Sequence, residues 1–160
     1  MKIRPARASD EESVAGIFLH VLEEGETYAL PRNWTLEEAR AFWFGDGNHV
    51  FVAEEDGKIL GSYHICPNHG GGGAHVANAG YIVSASARRM GIGRAMAEHS
   101  LGECKRRGFR AMQFNFVIST NEPAVKLWQE LGFATVGTLP GAFHHPTRGF
   151  VDALVMFRTL

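Results

Sequence analysis

Val83-Ser84-Ala85-Ser86-Ala87-Arg88-Arg89-Met90-Gly91-Ile92-Gly93-Arg94 decides how the rest of this chain is read. The apolar run Ala79–Val83 enters it as a strand, and a helix-compatible run, Ile92–Arg107, leaves it. A strand that turns into a helix through glycines leaves several backbone N–H groups without intrahelical partners at the positive end of the helix dipole. That arrangement binds anions, and Gly91 and Gly93 let a phosphate come close to the backbone.

Outward from that loop, punctuation marks a regular alternation. Residues 2–7 suggest a first strand, and Ser9-Asp10-Glu11-Glu12 opens a helix with Ser9 or Asp10 as N-cap, ended by Gly25. Thr35 with Glu38 makes a capping box for a second short helix, broken by Gly45–Asn48. His49–Glu54 and Lys58–Cys66 read as a hairpin turning at Glu55-Asp56-Gly57. Pro67–Gly73 is expected to be a flexible connection, and His75–Val83 the strand that leads into the glycine loop.

Downstream, Phe109–Ile118 is expected to be a strand with Met112, Phe114, Phe116 and Ile118 on one face and Gln113, Asn115 and Val117 on the other. Asn121-Glu122-Pro123 opens a helix whose apolar positions Ala124, Leu127, Trp128 and Leu131 fit helical spacing, with Gly132 as its cap. Phe133–Gly137 and Phe150–Phe157 read as the last strands, with Leu139–Gly149 a Pro-, Gly- and His-rich connection. The order β-α-α-β-β-β-α-β-α-β-β gives an α/β (α+β) fold: residues 1–160 as one domain, with a mixed sheet of about seven strands and about four helices.

Composition bounds the chemistry. Sixteen basic and 17 acidic residues give a formal net charge of −1, which disfavours a partner held by nucleic-acid phosphates. No apolar stretch reaches the ~18 residues that a membrane span needs, and no signal peptide is visible behind Met1. Two cysteines, Cys66 and Cys104, make neither a disulfide framework nor a metal spacing, which fits a reducing, cytoplasmic setting. None of the eight histidines falls into convincing zinc spacing.

Two motifs together carry a resemblance. Arg88-x-x-Gly91-x-Gly93, after a strand ending at Val83, resembles the acyl-CoA pyrophosphate loop of the GNAT acetyltransferase superfamily. Asn121-x-x-Ala124-x-x-Leu127-Trp128-x-x-Leu131-Gly132-Phe133 is similar to the second motif of the same superfamily. A narrower similarity runs through Asn78-Ala79-Gly80-Tyr81, Phe114-Asn115, Thr120-Asn121 and Thr138-Leu139-Pro140-Gly141. It points to the branch containing the fungal acetyltransferase of proline analogues such as azetidine-2-carboxylate.

The resemblance implies an N-acetyltransferase that uses acetyl-CoA as co-substrate, without a metal. The acceptor is a small-molecule amine, an amino acid or cyclic imino acid, attacked directly in a ternary complex. It implies a cofactor site at Val83, Arg88, Arg89, Met90, Gly91, Ile92, Gly93, Arg94, Asn121 and Trp128, with most phosphate contacts from backbone N–H groups of residues 89–94. Val83 offers its backbone N–H to the thioester oxyanion, and Asn121 joins it at the chemistry. Asn78, Asn115, Tyr28 and His75 are the acceptor-side candidates; Glu26 and Thr27 flank Tyr28. Homodimers are frequent in the superfamily.

One departure matters. Trp128 stands where most of the superfamily has a Tyr expected to protonate the leaving thiolate, and an indole N–H is only a donor. It leaves a second reading, a non-catalytic acyl-CoA sensor on the same fold.

Overall fold

In the computed structural model, which describes residues 1–160, the chain-order alternation holds and the ends of several elements move. Strand β1 is Lys2–Pro5, helix α1 Glu11–Glu24 and helix α2 Leu36–Trp43. Strands β2 (His49–Glu55), β3 (Lys58–Pro67) and β4 (Val76–Val83) follow, then α3 (Ile92–Arg106), β5 (Ala111–Ile118), α4 (Glu122–Glu130), β6 (Ala134–His145) and β7 (Gly149–Thr159). The Thr35 capping box forms: Glu38 N–H donates to Thr35 Oγ1 at 3.2 Å, and Thr35 N–H to Glu38 Oε2 at 2.7 Å. The β2–β3 turn places Asp56 and Gly57 at φ 49° and 77°, as a tight hairpin requires.

The expected cap of α1 differs in kind. Ala8–Asp10 is a 3-10 turn, and the Asp10 carboxylate accepts the Arg7 N–H at 2.7 Å and the Arg4 guanidinium at 2.7 and 3.0 Å. Those partners hold the Asp10 carboxyl below its ordinary range, Arg4 contributing most. Gly71–Gly73, within the stretch expected to be flexible, also forms a 3-10 turn.

All seven strands join one sheet in the order β1-β2-β3-β4-β5-β7-β6. Every pairing is antiparallel except β4 with β5. On one face, α3 and α4 bury Met96, Leu101 and Trp128 against Tyr63, Met112 and Phe114. On the other, α1 and α2 bury Val14, Phe18, Leu22 and Trp43 against Val52 and Ile82.

Two expectations fail on this sheet. The alternation proposed for Phe109–Ile118 breaks: the register against β7 shifts between Phe114 and Val117, and Val117 joins Phe114 on the α3/α4 face. A bulge adds a residue and so inverts the facing of everything after it. The expected connection Leu139–Gly149 is mostly strand. β6 runs on to His145, with an irregularity between Leu139 and Phe143, and only Pro146-Thr147-Arg148 join it to β7. Pro140 is tolerated because β6 lies at the sheet edge, where no ladder bond is lost. Gly141, at φ 56°, donates its N–H to Asp152 Oδ1 at 2.9 Å.

Candidate active site

The site begins where β4 and β5 part. Their parallel ladder has two rungs, Val76 with Ala111 and Ala77 with Met112. At the next position the Asn78 side-chain amide donates to the Gln113 carbonyl at 2.9 Å, in place of a backbone bond. Beyond it the bulge carries β5 away, and a cleft of about 820 Å³ opens between the strands. Gly80, Tyr81, Val83, Gly91, Gly93, Asn115, Asn121 and Trp128 are among its walls.

The antiparallel β3–β4 ladder decides which β4 amides face the gap. Ser84 N–H donates to the Leu60 carbonyl at 2.8 Å, so alternate residues Ser84, Ile82 and Gly80 bond to β3. Val83, Tyr81 and Ala79 therefore turn their N–H and C=O groups to the open side. Val83 N–H faces the open side, on a wall of the cleft. Tyr81 N–H does too, but the Tyr28 hydroxyl accepts it at 3.0 Å.

Beyond Val83 the chain curls through Arg89 and Gly91, at φ 66° and 77°, into α3. The first bond of that helix runs from Ala95 N–H to the Gly91 carbonyl at 3.0 Å, so the N–H groups of residues 91–94 have no intrahelical acceptor. Four unpaired donors on a helix dipole at the cleft wall suit a phosphate.

The loop's arginines separate clearly. Arg88 reaches back to α1 and donates to both Glu24 oxygens at 2.8 and 2.6 Å, and Arg94 is paired with Glu130 of α4. Arg89 has no acidic partner and lines the cleft. Met90 is 58% exposed, and neither Met90 nor the Arg94 side chain lines the cleft. Their expected contribution narrows to backbone.

Asn121 occupies the N-cap position of α4 without a side-chain capping bond, so its amide is available to the cleft it lines. Trp128 is buried, its ring 4.5 Å from Phe114 and 5.0 Å from Tyr81 between centroids, with one edge on the cleft.

On the α1/α2 side lies a patch of amides. Asn115 is exposed; it donates to Asn68 Oδ1 at 2.6 Å and accepts from Gln113 Nε2 at 2.8 Å. Asn78 shares Gln113 with it, so two of the expected acceptor residues meet in one network. Glu26 lines the cleft nearby, and its Oε1 is 3.9 Å from His145 Nε2 on the β6 end. Thr147 N–H donates to His145 Nδ1 at 3.2 Å, which leaves the neutral ring's proton on Nε2, facing Glu26.

His75 is a correction. It is exposed, precedes β4 and lies eight positions from Val83, roughly 26 Å along the chain. Its carbonyl accepts Arg110 N–H at 2.9 Å, at the far corner of the sheet. His99 bonds Tyr63 Oη at 2.6 Å through Nδ1. His64 is buried edge-on against Trp43, with centroids 4.7 Å apart, and burial lowers its pKa to about 4. Burial raises the Cys66 thiol and pushes Cys104 up to about 12, so neither is a ready nucleophile.

Residues 15–133 match the model of the acetyltransferase (GNAT) family, about three quarters of the chain. The chain belongs to that family. As a GNAT enzyme it transfers an acetyl group from acetyl-CoA, and the anion site at the start of α3 fits the cofactor's pyrophosphate. A GCN5-related N-acetyltransferase from Kribbella flavida has the same fold, with a TM-score of 0.94, 45% identity and coverage of 99% of this chain and 97% of that one. N-acetyltransferase aca1 of Schizosaccharomyces pombe is 33% identical over 84% of this chain and 72% of its own length. Mycothiol acetyltransferase of Thermomonospora curvata is 36% identical over 62% of this chain, which spans only 33% of that protein.

The cleft residues given no role from the sequence were Gly80, Tyr81, Asn68 and Gln113. Only Gly80 carried a signal: a glycine inside an apolar strand marks a close approach.

Proposed function

We propose that this GNAT enzyme acetylates the amine of a small molecule, an amino acid or cyclic imino acid, by direct attack in a ternary complex. The observation that carries the reading is the two-sided cleft at the β4–β5 fork. One side offers the α3 amides and Val83 N–H; the other offers Asn78, Asn115 and the Glu26 carboxylate.

Acetyl-CoA lays its pyrophosphate on the N–H groups of residues 91–94, with Arg89 as counter-charge, and its thioester against Val83. The acceptor enters from the α1/α2 side. Its amine loses a proton, attacks the thioester carbon and forms a tetrahedral oxyanion on the Val83 N–H; collapse expels CoA thiolate. Asn78, Asn115 and Asn121 orient acceptor and donor. The likeness to an N-acetyltransferase of Schizosaccharomyces pombe along most of its length supports an amine as the acceptor, and the Asn78–Tyr81 and Phe114-Asn115 similarity makes the proline-analogue branch the place to look.

The test is thiol release from acetyl-CoA across a panel of amino and imino acids that includes azetidine-2-carboxylate. Saturable release with one class is expected, reduced at least tenfold by Asn78→Ala or Asn115→Ala. A buried Trp128 in place of a phenol favours a second reading, a cofactor sensor. Acetyl-CoA binding without turnover of any amine in the panel would establish it instead.

A further inference from the structure

The α1–α2 connection sends one hydroxyl into the fork. Tyr28 is half-buried, its ring edge-on to Phe18 with centroids 5.3 Å apart and to Trp43 at 6.4 Å. Its Oη accepts the Tyr81 N–H at 3.0 Å and donates to the Tyr81 carbonyl at 3.0 Å.

Those two groups are the pair that β5 would bond had the strands stayed together. The ladder stops at Ala77 and Met112, and β4 runs on with one edge unpaired. A backbone N–H and C=O left dry at that edge cost roughly 1–3 kcal/mol each. One phenol supplies both an acceptor and a donor, as a facing strand residue would. Burial raises the phenol pKa, so the hydroxyl keeps the proton it donates.

The strand is shaped to receive it. A Cβ at Gly80 would lie 3.1 Å from Tyr28 Oη and 2.5 Å from His64 Nε2. Both rings come down on Gly80 from the α1/α2 face, so a side chain there would force His64 aside and press on the Tyr28 hydroxyl. With Tyr81 N–H taken, Val83 N–H is the donor left open between the hydroxyl and the glycine loop.

We infer that Tyr28 is a positioning residue for acetyl transfer. As a one-residue substitute for the missing strand, it fixes the free edge of β4 and aims the Val83 N–H at the thioester carbonyl. The inference rests on the acetyl-transfer reading of this cleft. Tyr28 touches neither phosphate nor acceptor in this role. The loop that covers the acceptor side and the strand that holds the thioester thus act as one rigid unit.

The test uses the full chain with Tyr28→Phe, which removes the hydroxyl and keeps the ring, and Gly80→Ala, which keeps the hydroxyl and displaces it. The probe is the ketone analogue of acetyl-CoA, with methylene in place of sulfur and a ¹³C carbonyl, read by infrared spectroscopy; it needs no amine. In both variants the carbonyl band is expected to move toward its position in water, with analogue affinity within threefold of the parent. With the amine that turns over fastest in the panel, kcat falls at least tenfold while KM for acetyl-CoA stays within threefold.

An unmoved band and kcat within twofold in Tyr28→Phe would overturn the inference. So would tighter analogue binding with kcat intact, because the hydroxyl would then be a competitor for the cleft. An unmutated chain that does not bind the analogue would overturn the acetyl-transfer reading itself.

Discussion

The two sides of the fork are made of different material. On the α3 side the working groups are backbone: four unpaired N–H groups, a left-handed glycine at φ 77° and Val83 N–H. On the α1/α2 side they are side chains: the Asn68–Asn115–Gln113 amides, Asn78, Glu26 beside His145, and Tyr28 and His64 over Gly80. In the proposed reading, backbone donors take what every acyl-CoA carries, a pyrophosphate and a thioester. They need only small residues at fixed offsets, so they leave a motif. Side-chain groups come from five separate stretches of chain, and in the proposed reading they select the acceptor.

His64 sets the largest expected difference. Burial depresses its pKa to about 4, so the folded chain binds fewer protons than the unfolded chain between that value and the ordinary 6.5. Stability on this account is complete above about pH 6.5 and falls as the pH drops toward 4, by about 3 kcal/mol. Urea unfolding at pH 7 and pH 4.5 should show that loss, and His64→Leu should lose less between the two pH values whatever its stability at pH 7. An equal loss in both would remove His64 from the dry α1/α2 side.

Gly93 tests the backbone side. A Cβ there meets nothing nearer than Val83 Cγ2 at 4.0 Å, and alanine is favoured over glycine in a helix by up to about 1 kcal/mol. Gly93→Ala should keep or raise the thermal midpoint while weakening acetyl-CoA binding about tenfold in calorimetry. Unchanged binding would mean that the phosphates do not approach the start of α3 closely.

The smallest effect separates two neighbours. Arg89→Ala should raise the dissociation constant for acetyl-CoA about threefold, an effect diminishing with salt, because Arg89 has no carboxylate to neutralise it. Arg88→Ala should change it less than twofold, since its guanidinium is already committed to Glu24. The reverse order would show that the Arg88–Glu24 pair opens when cofactor arrives.

The local signals were legible. Glycines at 25, 57, 108 and 132 stand at positive φ where elements end, the Thr35 box caps α2, and the Arg88–Gly93 spacing falls on a strand–helix turn whose N–H groups are open. Each works within a few residues, and its energetics travel with the sequence. Two outcomes lay beyond such signals. The Phe114–Val117 bulge depends on how β5 meets β7, strands about forty residues apart in the chain, and it reversed the faces that alternation assigned. β6 continues through Pro140 and Gly141 because β7 supplies a partner and the sheet edge tolerates the missing donor.

The Val83–Arg94 stretch alone pointed to an anion site beside a free strand end, because glycine offsets and helix geometry are local. Which β4 amide stays free, and what faces it across the cleft, was decided in three dimensions. Those answers depend on where β5 departs and on a tyrosine fifty-three residues upstream of the strand residue it completes.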